Sequence, residues 1–343
     1  MLYIFIIFLI LSLIGISFKN VKNVDKSALS HERTIMINGF FVGLILFSHF
    51  NSYVTTNMKF DSIYYYIFDK IGQLMVTTFL FYSGYGIYES IKSKKKYIDN
   101  FFKNRILKLF ISFFLALILY MLLNLMIGNS YSIKTILLSL LGWESIGNSN
   151  WFIFATFCMY FSTLISFKIF KKDNKSALLL NTIFSFVYII LTMKLRGFDW
   201  WYNTILCYNL GMFISYYKDT ILSFLENNRH YVLIFLLIII IFLLSYKNNY
   251  GYFVYEIISM SFVLIIFLIT LKVKIGNRIL LHLGKNTFNI YILQRLSYIF
   301  YEYIGLKNYN FYLYFIVSVI ATLLLSIIFD KLIHKIYKLL MLV

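Results

Sequence analysis

Not one of the 343 residues is proline. Helices built from this chain therefore lack the ring-imposed kinks that commonly bend membrane helices, and any motif that ordinarily carries proline must be altered here. Cysteine occurs twice, as Cys158 and Cys207, each inside an apolar run. Two such thiols read as packing groups, not as a disulfide or a metal pair. No cluster in the chain has metal-ligand spacing, so no metal is expected. Acidic residues are scarce, 14 against 32 Lys and Arg, which leaves a net charge of +18. Charged residues of either sign make up only 13% of the chain, whereas 61% is hydrophobic. A soluble chain of this length needs far more polar surface. The positive charge is thus not read as a nucleic-acid footprint; it fits basic loops retained on one side of a membrane.

Apolar runs long enough for a bilayer core recur along the whole length. We read an all-α, polytopic membrane protein with about eleven segments, near 1–18, 35–50, 66–88, 106–127, 151–167, 177–193, 202–217, 230–246, 252–271, 283–301 and 310–329. No stretch is long and polar enough for a separate soluble domain. Residues 1–34 form an extra N-terminal helix with a basic linker, and residues 35–343 form the main membrane domain. The first run has no basic residue before it and Lys19, Lys22 and Lys26 after it. That is not the charge order of a secretory signal and places residue 1 outside.

The basic residues test this orientation. Loops assigned to the cytoplasm hold 24 Lys and Arg, and outer segments hold seven: Lys59, Lys70, Lys134, Lys194, Arg196, Lys247 and Lys307. The remaining one, Arg295, lies within the tenth segment. The bias alternates without a break and puts the carboxyl terminus inside. The run "KSKKK" (Lys92 to Lys96) reads as a topogenic loop beside anionic headgroups.

The second run, "MINGFFVGLILFSHF" (36–50), ends on the one histidine expected near the outer face. His31, His230, His282 and His334 all fall at cytoplasmic ends or loops. A polar residue at a helix end is commonly an interfacial hydrogen-bonding group, so His49 gains weight only from its context. "INGFFVGLILFSHF" is similar to the opening helix of the membrane acyltransferase-3 family, in which a basic residue, ten intervening residues and a histidine follow one another. Eleven helical steps bring those two positions to within about 20° of one face and about 16 Å apart along the axis. Asn38 occupies the basic position and His49 matches.

Further stretches resemble that family in the same order. "FLFYSGYGIY" (79–88) carries Ser83 and Gly84 where the family has a serine–glycine pair, and "FFKNRILKLF" (101–110) resembles its RxxR motif with Arg105 and Lys108. "NSNWFIFATFCMY" (148–160) matches at Trp151 and Tyr160; "WWYNTILCYNLGMFIS" (200–215) has Asn209 in place of proline; "LGKNTFNIYILQ" (283–294) ends on Gln294 in place of histidine. The resemblance spans roughly residues 33 to 329 and implies a ten-helix core.

What the resemblance implies is transfer of an acyl group, most often acetyl, from cytoplasmic acyl-CoA as co-substrate to a hydroxyl of an extracytoplasmic glycan, with no bound cofactor. Acyl-CoA, the surface glycan and membrane lipid are then the partners. CoA is polyanionic, so its entrance should be basic; Lys103, Arg105 and Lys108 lie on the expected side, with Arg105 and Lys108 three apart on one helix face. A stop-transfer anchor explains the same charges. Ser83, Gly84 and Gly86 fit a narrow passage for the pantetheine arm, and fit ordinary helix packing equally well. His49 is the expected general base, since imidazole takes and returns a proton near neutral pH; an acyl-histidine relay stays open. A carboxylate commonly orients such an imidazole: Glu144 is the first choice, ahead of Asp199, Glu256 and Asp69. Asn38, Trp151, Gln294 and Arg295 are expected to serve the acceptor or the structure. A buried arginine needs a partner or water, so Arg295 either serves the acceptor pocket, compensates for the missing charge at position 38, or forms a structural ion pair. "YYY" at 64–66 and Trp200–Trp201 read as sugar-stacking or interfacial aromatics. Two other readings remain open at this point: a polymerase or flippase of lipid-linked glycan, and a non-catalytic member of the same fold.

Overall fold

The structure is a computed structural model. It describes residues 1–18, 24–54, 61–248, 251 and 253–342; Lys19, Lys22 and Lys59, used above to orient the chain, lie outside the described residues. Among the described residues the secondary structure is helical apart from one two-residue antiparallel pairing, β1 (Ser17–Phe18) with β2 (Val273–Lys274).

The helices are α1 (Leu2–Leu13), α2 (His31–Phe50), α3 (Asp61–Ile71), α4 (Leu74–Ser93), α5 (Lys108–Met126), α6 (Ile133–Leu140), α7 (Trp151–Ile169) and α8 (Asn174–Arg196). They continue with α9 (Leu206–Tyr216), α10 (Lys218–Glu226), α11 (Asn228–Lys247), α12 (Val254–Lys272), α13 (Arg278–Lys285), α14 (Thr287–Tyr303), α15 (Leu306–Tyr309) and α16 (Phe311–Leu339). Among the described residues seven helices are long and apolar enough to cross a bilayer: α2, α5 with the π-helical turn Phe102–Leu107 that precedes it, α7, α8, α11, α12 and α16. This is a polytopic membrane protein.

Eleven uniform segments were expected, and four differ. The expected 66–88 segment straddles the join of α3 and α4, which are divided at Gly72, whose φ of +44° suits glycine. The 283–301 segment is divided into α13 and α14, the 202–217 segment supplies only the 11-residue α9, and α1 has 12 residues. For α4 the reason is burial. On α4, Thr77, Thr78, Tyr82 and Tyr85 face the interior, so this helix need not meet the apolarity that lipid demands.

Burial also ranks the helices. In α2 72% of the apolar window is buried, and in α11 none is, so α2 is central and α11 faces outward. Two glycine-mediated crossings fix the centre. A Cβ on Gly39 would lie 2.0 Å from the Leu280 carbonyl oxygen and one on Gly284 2.0 Å from that of Ile35, so α2 and α13 touch backbone to backbone. Gly84 and Gly211 do the same for α4 and α9, against the carbonyls of Tyr208 and Phe81. Tyrosine hydroxyls staple the His49 end: Tyr298 donates to Leu46 O at 2.9 Å and Tyr314 to Tyr298 O at 2.9 Å. At the lysine-rich end, buried Arg33 pairs with Asp25 and donates to Val273 O, holding α2 to the end of α12. Helix α1 joins the bundle through Phe5, which meets the rings of Phe47, Tyr64 and Phe68, and through Phe8, which covers Gly43.

Candidate active site

Two cavities in the bundle meet at Ser83. The larger, about 650 Å³, is bordered by His31, Glu89, Lys94, Arg105, Lys218 and Ser83. The inner chamber, about 280 Å³, has mostly apolar walls and is bordered by Asn38, Ser83, Tyr160, Tyr208, Lys285 and Tyr291. Ser83 borders both, and its hydroxyl shares a 3.2 Å hydrogen bond with Tyr160 at the junction.

Beyond Tyr291 stands His49. It occupies the last turn of α2, and its ring centroid is 5.9 Å from that of Tyr291. The Nδ1 atom of His49 is buried without a hydrogen-bond partner among the described residues, and so are Gln294 Oε1 and Arg295 Nε, while the Tyr291 hydroxyl lies against the Ser149 side chain. Buried polar atoms are ordinarily paired. Unpaired buried atoms at His49 and on α14 make this end of the bundle a candidate site for a polar reactant. Arg295 follows Tyr291 by one helical turn on α14, and its charge acts on His49, Tyr53, Tyr120 and Tyr291. Gln294 is fully buried and its amide donates to Tyr291 O at 3.2 Å.

Several expected residues are placed differently from the sequence reading. Glu144, expected to orient His49, is held instead by Arg196 at 3.0 Å, with the guanidinium between the Trp143 and Trp201 rings. Glu256 accepts from Ile205 N and Leu206 N and caps α9. Asp199 accepts from the Tyr202 hydroxyl, and Asp69 pairs with Lys70. The charged group facing His49 is therefore a cation, not a carboxylate.

Arg105 borders the large cavity and donates through Nε to Tyr97 Oη at 2.9 Å. Lys108, expected on the same face, lies over the Tyr337 ring, and Lys103 is exposed. The cause is the π turn over Phe102–Leu107: its wider i→i+5 winding stops residues three apart from facing alike. Gly84 is consumed by the crossing with α9 and leaves no passage, whereas a Cβ on Gly86 would meet nothing within 4 Å and that residue borders the large cavity. Asn38 reaches the inner chamber, with its Oδ1 buried and unpaired. Trp151 packs on Phe152, a chamber wall residue, without bordering the chamber itself. Asn209, where the related motif has proline, donates to Asn181 Oδ1 at 2.8 Å in a buried network with Thr163 and Tyr208.

A family model described as an acyltransferase domain matches residues 37–331, most of the chain. The chain belongs to the acyltransferase-3 family. This is a membrane-bound acyltransferase. No curated protein and no solved structure matches it. Sequence reasoning passed over two residues that border the inner chamber, Tyr291 and Lys285. Both lie in "LGKNTFNIYILQ", but Lys285 reads there as a loop charge and Tyr291 as one tyrosine among 30. Lys285, an exposed residue at the end of α13, borders the chamber together with Asn38.

Proposed function

We propose that this acyltransferase carries an acetyl group from cytoplasmic acetyl-CoA to a hydroxyl of a cell-envelope polysaccharide on the outer side. The observation that carries the reading is that two cavities share Ser83, one bordered by Arg105 at the lysine-rich end and the other by Tyr291 beside His49. A narrow conduit between a basic mouth and a buried imidazole suits a long donor with an anionic head and a reactive far end. The basic-residue bias supports an orientation with the lysine-rich end inside and His49 near the outer face. Residues 35–343 form the catalytic domain in this reading, with the ten-helix core its short helices complete, and 1–34 add one helix to it.

The chemistry follows from the residues present. His49 takes the proton of the acceptor hydroxyl as that oxygen attacks the thioester carbonyl carbon. The carbon–sulfur bond then breaks, the ester forms, and the CoA sulfur leaves with the proton that His49 returns. General-base action of this kind contributes about 10²- to 10⁴-fold. Arg295 faces the carbonyl oxygen as negative charge develops on it, which needs a fixed cation in a site of low dielectric. Asn38 and Lys285 hold the pantetheine amides in the chamber, and Arg105 holds phosphate at the mouth.

The test is the O-acetyl content of surface polysaccharide, read by proton NMR in cells carrying wild type, His49→Ala at equal expression, or no copy. Acetyl signal with wild type alone is expected. Equal signal in all three would overturn the reading, and loss of glycan length instead of acetyl would favour a polymerase or flippase.

A further inference from the structure

One end of the inner chamber is built from aromatic rings, supplied by three helices at one level. Ser83 and Tyr160 mark the other end, where the large cavity begins. Phe79 precedes Ser83 by about one turn of α4. Phe152 precedes Tyr160 on α7 by about 12 Å along the helix axis. Tyr291 follows Thr287 and Phe288 by about one turn of α14, on the side of His49. All three rings border the chamber. Phe79 and Phe152 meet edge to face with centroids 6.1 Å apart, Phe152 and Tyr291 lie at 5.3 Å, and Tyr291 and His49 at 5.9 Å.

These rings have little room to yield. Phe79 and Tyr291 are buried, the Tyr291 hydroxyl lies against Ser149, and the Tyr291 carbonyl accepts from the Gln294 amide at 3.2 Å. Trp151 packs edge to face on Phe152 with centroids 5.7 Å apart. Thr156, one turn along from Phe152, donates to the Phe152 carbonyl at 2.7 Å, so its only O–H stays within its own helix. Met159, the adaptable side chain of the chamber wall, lies about two turns away from the rings, toward Tyr160. The end of the chamber next to His49 is thus the stiff end.

A thioester delivered through the chamber arrives acyl group first, because the nucleotide end of the donor stays behind. Its carbonyl carbon has to stop at His49. Every carbon added to the acyl group must therefore fit among the rings and the imidazole, where close packing resists added volume. We propose that the rings of Phe79, Phe152 and Tyr291 restrict the transferred acyl group to a short chain, and that Phe152 sets the limit. The inference rests on the acyl-CoA reading above and adds which donors the enzyme accepts. Phe152 is singled out because its ring meets both of the others and is only half-buried, so shortening it opens the level with the least loss of packing. Tyr291, by contrast, packs against His49 itself.

The experiment gives inside-out membrane vesicles, which retain the cells' own polysaccharide, acetyl-CoA and butyryl-CoA in equal amounts. Mass spectrometry of the polysaccharide reads the ratio of the two esters formed. Wild type should favour acetyl by about 10²-fold or more, since butyryl adds two methylenes and each is worth roughly tenfold or more in a closed pocket. Phe152→Ala should bring the ratio to within about tenfold by raising butyryl transfer. Phe152→Leu should fall between the two and serves if the alanine variant melts early. Leu109→Ala enlarges the same chamber from the start of α5, four residues past Arg105, and should keep the wild-type ratio. A wild-type ratio near one overturns the proposal, as does an unchanged ratio in Phe152 variants that melt normally, or an equal relaxation in Leu109→Ala. Wild type that forms neither ester overturns the acyl-CoA reading with it, whereas both esters formed alike overturn this inference alone.

Discussion

The hydroxyls of Ser83 and Tyr160 stand 3.2 Å apart where the cavity beside Arg105 meets the chamber leading to His49. One helix contributes each group, α4 and α7, so the packing of these helices sets the junction. A bulky side chain there should close it. Ser83→Phe is expected to lower turnover by about 10²-fold or more while Ser83→Ala keeps it within about tenfold, since positioning losses of that order follow from small displacements. Acetyl transfer in membrane vesicles supplied with acetyl-CoA reads the difference; equal rates for the two variants would detach Ser83 from the donor route.

The neighbouring glycines separate packing from passage. Gly84→Ala drives a methyl group into the Tyr208 carbonyl, and overpacking of this kind costs about 1–3 kcal/mol. Gly86→Ala meets nothing within 4 Å and should melt like wild type. Thermal unfolding in detergent checks both. Similar melting temperatures for the two would contradict the tight α4–α9 crossing.

Glu256 offers a second structural test. Its carboxylate accepts from Ile205 N at 3.1 Å and Leu206 N at 3.2 Å at the start of α9. Glu256→Ala strands those buried N–H groups, at a cost of about 1–3 kcal/mol, whereas Glu256→Gln keeps an acceptor and should recover most of the loss. The melting temperatures should rank wild type, Gln, Ala. If acetyl transfer by folded Glu256→Gln is abolished, the carboxylate has a chemical part that its capping does not explain.

Glu144 and Arg295 make opposite predictions. Glu144 is more than a third exposed and paired with Arg196, so Glu144→Gln should cost less than about 1 kcal/mol and leave turnover within about tenfold. Arg295→Ala should reduce turnover by roughly 10²- to 10³-fold with little change in the KM for acetyl-CoA, because the cation acts on charge that develops during reaction. A large loss confined to KM would make Arg295 a binding group.

Much of this protein was legible from the chain. Absent proline, scarce charge and recurrent apolar runs determine a polytopic helical protein, because lipid leaves helices as the way to satisfy backbone hydrogen bonds. The spacing from Asn38 to His49 and the order of the degenerate motifs pointed to the acyltransferase-3 family, because helical periodicity and local sequence survive in one dimension. Which carboxylate meets which cation is not a one-dimensional property. Glu144 went to Arg196 and Arg295 went to His49 because helices far apart in sequence, α8 and α14, bring their side chains to those places. The π turn turned Lys108 away from Arg105, and the Gly84–Gly211 crossing took a glycine that a passage would have needed. Only packing decided these, since each depends on the rotation of one helix against another, and the sequence specifies that rotation through contacts spread over the whole bundle.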